Sequence, residues 1–296
     1  MRISLVSRKR FIPYLFLAPA LIFLLFVYIP IIENVFFSLF EWSSFQPEKT
    51  FIGLKNYIDL FHDPVFFTAL RNNVLYAIIS LICQVGGGLI LAAVLEDRLV
   101  RKWSPFFRTV FFLPVVISMT VIALLFDFIY NPEIGLLNQL LEAVGLDELT
   151  RAWLGDENTA MLSVIFVSQW QSVGYIAMLY IVSIQSIPAE LYESAQLDGA
   201  GKIQQFFHIT VPQTKEMSFV AVVMTLTGAF TVFNEPYILT GGGPGNASEV
   251  LSTFLYKSAF TKDMMGYASA IATVVLLLTL ALSLIQMKFF KTGKEE

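Results

Sequence analysis

Six stretches of this chain run 18 residues or more without a single Asp, Glu, Lys or Arg: 11–32, 72–95, 109–126, 158–189, 217–234 and 264–287. An α-helix rises about 1.5 Å per residue, so roughly 20 apolar residues cross the ~30 Å hydrocarbon layer of a bilayer. The runs therefore predict an all-α integral membrane protein with about six spanning helices. We place the spans near 11–35, 73–95, 109–130, 159–185, 216–238 and 265–287, within one membrane domain covering 1–296. A transmembrane barrel needs strands of alternating polarity, and these runs are continuously apolar. A large soluble core is disfavoured by composition: 14% of residues are charged, against about 25% in a typical soluble domain.

Six spans put both termini on one side, and basic residues indicate which. Of 19 Lys and Arg, 13 fall in one set of loops: Arg2, Arg8, Lys9, Arg10, Arg98, Arg101, Lys102, Arg108, Lys202, Lys215, Lys288, Lys291 and Lys294. Cytoplasmic loops carry the basic excess. Both termini and the loop 186–213 are thus expected to be cytoplasmic. The run after Arg8-Lys9-Arg10 is too long for a signal peptide's apolar region and lacks a small-residue cleavage site, so it reads as an uncleaved first helix. Glu33, Asp127 and Glu235 lie towards the opposite ends of their spans, where interfacial solvation is the expected role. Residues 53–57 through 63–64, with 66–73, mix aromatics with a few charges, as interfacial helices do. Gly86-Gly87-Gly88 allows close helix approach.

No Gly-x4-Gly-Lys-Ser/Thr phosphate loop is present: Gly201-Lys202 is followed by Ile203, and Gly293-Lys294 by Glu295. The single cysteine, Cys83, and the two histidines, His62 and His208, provide no thiolate or imidazole metal cluster. No Gly-x-Ser-x-Gly elbow appears. An enzyme is therefore not expected, nor is a cofactor in this chain. Any ATP hydrolysis would belong to another subunit.

The loop is the most informative segment. Pro188 suits the start of a helix, which should run from Ala189 to Leu197 with Leu191 and Ala195 on one face. Asp198-Gly199-Ala200-Gly201 ends it, since glycine takes the left-handed conformation that follows a helix. A second short helix is expected from Lys202 to His208, with Pro212 opening the next span. The result is a helix–turn–helix.

Glu193-Ser194-Ala195, Gly199 four residues after Ala195, and Ile209-x-Val211-Pro212 resemble the EAA motif of permease subunits in binding-protein-dependent ABC importers. Ser194 and Val211 depart mildly from that pattern, whose spacing is otherwise intact. Asp198, Ala200 and Phe206 also resemble the sugar-permease version. So do Asp63-Pro-x-Phe-x-x-Ala-Leu-x-Asn72, Phe111-Phe-Leu-Pro114 with Ser118, and Leu239-Thr-Gly-Gly-Gly-Pro244, and the likeness extends over about 60–290. It is closest to the permease type that pairs with a second, non-identical permease.

The resemblance implies a type I ABC importer permease fold in a bacterial or archaeal cell membrane. It implies a translocation subunit of an ATP-driven sugar or oligosaccharide importer, with ion-coupled secondary transport as the alternative. The implied partners are a homologous permease, a cytoplasmic ABC ATPase dimer binding ATP and Mg, an extracytoplasmic solute-binding protein, membrane lipid and a carbohydrate; nucleic acid is not among them. Glu193, Ser194, Ala195, Asp198, Gly199, Ala200, Phe206, Ile209 and Pro212 would couple to the ATPase.

Within the spans, amides need partners away from lipid. Gln169 and Gln171 stand about 200° apart on a helix, so one can bond a neighbouring helix while the other lines a path. Trp170, Tyr175, Tyr180, Phe230, Phe233 and Asn234 are further candidates for the substrate path, since amides and aromatic faces suit sugar hydroxyls and C–H surfaces. Interhelical packing is the competing role for each.

Overall fold

The computed structural model describes residues 16–46 and 48–292. The beginning of the first predicted span, 11–15, and the basic residues Arg2, Arg8, Lys9, Arg10 and Lys294 lie outside that range. In chain order, the helices that matter below are α1 (Phe16–Phe37), α2 (Pro64–Glu96), α3 (Ser104–Val116) and α4 (Met119–Ile129). They are followed by α5 (Ala160–Gln185), α6 (Ala189–Leu197), α7 (Lys202–Gln205), α8 (Lys215–Thr231), α9 (Asn234–Leu239) and α10 (Met265–Thr292). Among the described residues, five segments are long and apolar enough to cross a membrane: α1, α2, α5, the α8–α9 run and α10, or six if α3 and α4 form one broken span.

The lipid signature lies in how these helices sort their residues. On α2, Val74, Ile78, Ile82, Ile90 and Val94 are exposed at multiples of four residues, one continuous apolar stripe. Its opposite side buries Asn73, Tyr76, Ser80, Gln84, Ala92 and Leu95. A helix bathed in water would present the reverse arrangement. In hydrocarbon, polar groups gain only by facing other helices.

α2 is longer than the sequence suggests. Of the stretch expected to be interfacial, Lys55–Leu60 is a separate short helix, whereas 66–73 is the first part of α2. The cause is a strong start signal: Asp63 Oδ1 accepts the Val65 N–H at 2.8 Å, and Pro64 occupies the first turn. Residues Leu81–Gly86 are wound as a π-helix within it. Of Gly86, Gly87 and Gly88, the last makes the close approach, facing Ile176 and Ala177 of α5.

The predicted span near 109–130 is two helices bent by 100°. Pro114 cannot donate to the carbonyl four residues back and crowds that turn. The chain then turns extended at Ile117 (ψ 135°) and Ser118 (ψ 136°) before α4 begins. Side chains of α5 accommodate the break. Gln171 Nε2 donates to the Ile117 carbonyl at 3.4 Å, and Gly174 lies against the Phe111 carbonyl where no Cβ would fit.

Two compact units emerge. In the unit of residues 63–254 and 275–292, the main core joins Leu89, Ala92 and Leu95 of α2 with Ile176, Tyr180 and Ile181 of α5 and Ala221 of α8. A second cluster gathers Ile122, Phe126, Tyr130 and Val167, with Trp153 and Leu239 at its margin. Trp153 donates to Asn138 Oδ1 at 2.7 Å. Asn73 ties α2 to α8 by donating to the Ala229 carbonyl at 2.7 Å, and its Oδ1 accepts the Leu251 N–H at 2.9 Å. Asn72 donates to the carbonyls of Ala247 and Glu249, each at 2.8 Å.

The other unit comprises residues 16–62 and Leu255–Val274. A two-stranded antiparallel ribbon pairs β1 (Phe40–Glu41) with β2 (Thr50–Phe51), Phe40 opposite Phe51. Asn56 donates to the carbonyls of Ser38 and Phe40 at 2.8 and 3.0 Å. Asp263 accepts hydrogen bonds from the Ser43 hydroxyl and, at 2.9 Å, from the Ser44 N–H. These bonds hold its carboxyl below the ordinary aspartate value.

Candidate functional site

Segment 186–213 forms two short helices at a tight turn. Pro188 stands extended (ψ 130°) immediately before α6. At the other end the chain reverses through Gly199 at φ +80°, and the Ala200 N–H returns to the Ala195 carbonyl at 2.8 Å. That is the left-handed helix end, which glycine adopts without a Cβ penalty. Gly201 N–H donates to Gln204 Oε1 at 2.9 Å, and Gln205 Nε2 closes the turn onto the Ala200 carbonyl at 2.7 Å. The second helix differs from expectation. Lys202–Gln205 is α-helical, Phe206–Thr210 is π-wound, and Pro212 lies within a further helical turn before α8 starts at Lys215.

An open cleft of about 340 Å³ lies between the two arms, lined by Ala195, Asp198, Gly199, Ala200, His208 and Ile209 among others. Around it, Leu197 is 90% exposed, Ile203 75% and Phe207 61%. Phe206 turns the other way and packs against the α2–α5–α8 core. Sequence reasoning singled out Phe206 and missed these three. An alternation of Phe206 and Phe207 cannot be resolved without knowing which face the bundle covers.

The segment is also fastened to the residues after α2. Lys202 Nζ lies 2.6 and 2.8 Å from the two Asp97 carboxylate oxygens, and Arg98 lies 3.9 Å from Glu193. The Lys202 hydrogen bond, helped by the Leu99 N–H, holds the Asp97 carboxyl below its ordinary value. Tyr192 and Thr210 hydroxyls meet at 2.9 Å, bracing α6 against the second arm.

The span residues separate into buried and accessible groups. Gln169 is buried and donates to Ser80 Oγ on α2 and to the Ile165 carbonyl, each at 3.1 Å. Gln171 serves the broken helix as described above, so both amides have helix partners. Tyr180 has no exposed surface and donates to Ser218 Oγ at 3.0 Å. Phe230 is buried as well. Trp170, Tyr175 and Asn234 keep exposed surface; Trp170 packs edge-on against Phe126 at 5.4 Å. Phe233 stacks on Tyr237 with ring centres 4.8 Å apart, next to the point where α8 gives way to α9. Glu235 is not simply solvated at an interface. It is half-buried, and the Tyr76 hydroxyl, bonded to Ser168, reaches its Oε1 at 3.4 Å.

With this geometry in hand, comparison with known proteins is decisive. A family model for the inner membrane component of binding-protein-dependent transport systems matches residues 84–291. The chain belongs to that family. Among relatives of this transport component, the "Probable ABC transporter permease protein YurN" of Bacillus subtilis is 88% identical over 99% of this chain and its own full length. The arabinooligosaccharides transport system permease protein AraP of Bacillus subtilis is 34% identical, covering 99% of this chain and 93% of its own. The bacterial alginate ABC transporter has been crystallised in complex with an alginate pentasaccharide-bound periplasmic protein. One of its chains superposes with a TM-score of 0.82 at 25% identity, covering 97% of this chain and 96% of that one. The inner membrane component is thus a multi-pass translocation subunit with the type I ABC importer permease fold. The ion-coupled alternative finds no support in these relationships.

Proposed function

We propose that this chain is one half of the translocation pathway of an ATP-driven importer for an oligosaccharide, and that segment 186–213 docks a cytoplasmic ABC ATPase. The observation that carries the docking is the exposed apolar set Leu197, Ile203 and Phe207 around the Gly199 turn. It belongs to a segment too polar to lie in hydrocarbon, so a protein partner is the natural cover. A short rigid helix seated in a groove transmits displacement without a covalent link. Glu193 and Ala195 supply a charged contact and room for close approach, and the ATPase dimer holds ATP and Mg. ATP-driven closure would rock this chain against a second, non-identical permease.

The substrate class is supported by what the relatives carry, arabinooligosaccharides in one case and an alginate pentasaccharide complex in another. Trp170, Tyr175 and Asn234, which keep exposed surface, are the path residues this conformation makes available. The excess of Lys and Arg in these loops supports a cytoplasmic side for both termini and the docking segment, in a bacterial or archaeal cell membrane. An extracytoplasmic binding protein delivers the sugar on the opposite side.

Affinity purification of the chain with its genomic neighbours tests this reading. An ATPase should co-purify with the wild type and be lost from Glu193→Lys and Gly199→Val variants that still insert in the membrane. Retention of the ATPase by both variants would overturn the docking assignment. Calorimetric titration of the partner binding protein with a panel of pentose, hexose and uronic-acid oligosaccharides then identifies the cargo; silence across the panel would remove the sugar class.

A further inference from the structure

Three successive residues at the end of α2 each reach a different element. Glu96 accepts hydrogen bonds from Arg108 at the foot of α3 and from Gln185 at the end of α5, the latter at 3.3 Å to both carboxylate oxygens. Asp97 holds Lys202 of α7, and Arg98 faces Glu193 of α6. The two ion pairs have opposite polarity and lie on either side of the Gly199 turn. The turn is therefore held on both arms by a single dipeptide.

The N-terminal third of α2 is pinned too. Asn72 and Asn73 bond the carbonyls of Ala247 and Glu249, the Ala229 carbonyl and the Leu251 N–H. Ala247, Glu249 and Leu251 follow the Leu239–Gly245 loop, and Ala229 lies just before the α8–α9 break. α2 thus runs between segment 186–213, at its C-terminal end, and the stretch 247–251, which is bonded to its N-terminal third.

We propose that Asp97 and Arg98 are positioning residues for transport: they carry displacement of segment 186–213 into α2, and through α2 to the 247–251 stretch. This rests on the reading that segment 186–213 docks the ATPase. Besides the clamp, the segment meets the bundle through the start of α8, the end of α5 and the packing of Phe206 and Val211 on the α2–α5–α8 core. The clamp adds polar ties from both arms of the turn to the end of α2, a helix whose N-terminal third is bonded to a different loop. Exposed ion pairs contribute a factor of only about two to five in a static equilibrium. Their value here is geometric, since a bond that tethers two moving parts acts on coupling more than on stability.

The test uses the assembled transporter, with its ATPases and second permease, in lipid vesicles. Spin labels replace the exposed Arg71 on α2 and the exposed Glu142, and the probe is ATP alone. ATP should shift the distance distribution between the labels in the wild type. Asp97→Lys or Lys202→Asp should cut that shift by about half or more, and the double reversal should restore it. ATPase co-purification is scored on every variant. Loss of the ATPase from the wild type speaks against the docking reading itself. A retained ATPase with an undiminished shift in either single reversal, or a double reversal that fails to restore it, overturns the clamp. If Asp97→Lys does not assemble, Asp97→Asn is judged by the same criterion.

Discussion

Gly174 of α5 meets the carbonyl oxygen of Phe111 on α3 so closely that a Cβ at position 174 would overlap it. The contact sits one turn before Pro114 and beside the Gln171 bond to Ile117, so Gly174 and Gln171 of α5 together accommodate the 100° break. Gly174→Ala must displace backbone, not a flexible side chain. We expect a cost of about 1–3 kcal/mol, seen as a lower midpoint of thermal unfolding in detergent. An unchanged midpoint would show that α3 can slide away freely.

The Gly199 turn separates strain from sterics, because a Cβ there would meet nothing within 4 Å. Only the backbone angle, φ +80°, penalises a side chain. The left-handed conformation costs an ordinary L-residue about 1–2 kcal/mol, and Asn is more tolerant. Uptake should therefore fall in the order Gly, Asn, Ala, Val, with membrane insertion constant. Equal uptake by the Asn and Val variants would refute a conformational role.

Asn73 is buried and bonds two backbone groups from different segments. Asn73→Leu leaves a buried carbonyl and a buried N–H without those partners, at about 1–3 kcal/mol each. The variant should unfold at markedly lower temperature than Thr68→Ala, whose hydroxyl bonds only the Pro64 carbonyl of its own helix. Parallel melts of the two variants decide the matter.

Asp263 gives a pH prediction with a definite sign. The Ser43 hydroxyl and Ser44 N–H depress its folded value, so its contribution is present above the unfolded aspartate value of about 3.9. It is lost as pH falls through the depressed folded value. Protection of the Ser44 amide from hydrogen exchange, corrected for intrinsic rate, should hold at pH 5 and decline only below about 3.9. Asp263→Asn should remove that dependence.

Trp170 and Tyr180, both proposed path residues, should now behave differently. Trp170→Ala should raise the KM of uptake with little effect on melting. Tyr180→Phe removes a buried bond to Ser218 and should cost about 0.5–1.5 kcal/mol while leaving KM alone. The reverse pattern would place Tyr180 on the path.

The hydrophobic runs and the loop motif were legible because they are local: an uncharged stretch or a glycine after a helix carries its reason within a few residues. The third span reads in the sequence as one unbroken helix, and its break at Ile117 depends on α5, whose Gln171 bonds the Ile117 carbonyl while Gly174 admits Phe111. Phe206 and Phe207 differ only in which side the bundle covers. Gln169 and Gln171 were separable by angle, yet their partners, Ser80 and Ile117, come from other helices. The Asp97–Lys202 pair joins residues 105 apart in sequence, and no periodicity announces it.

The length of α2 has a consequence for the bilayer itself. Its 33 residues make a rod of about 50 Å, well beyond the ~30 Å hydrocarbon thickness. Asn72 and Asn73 fix its N-terminal third, and Glu96 with the charged residues that follow fixes its C-terminal end. Its vertical position is therefore set by protein neighbours, and membranes of shorter or longer acyl chains must adjust around it.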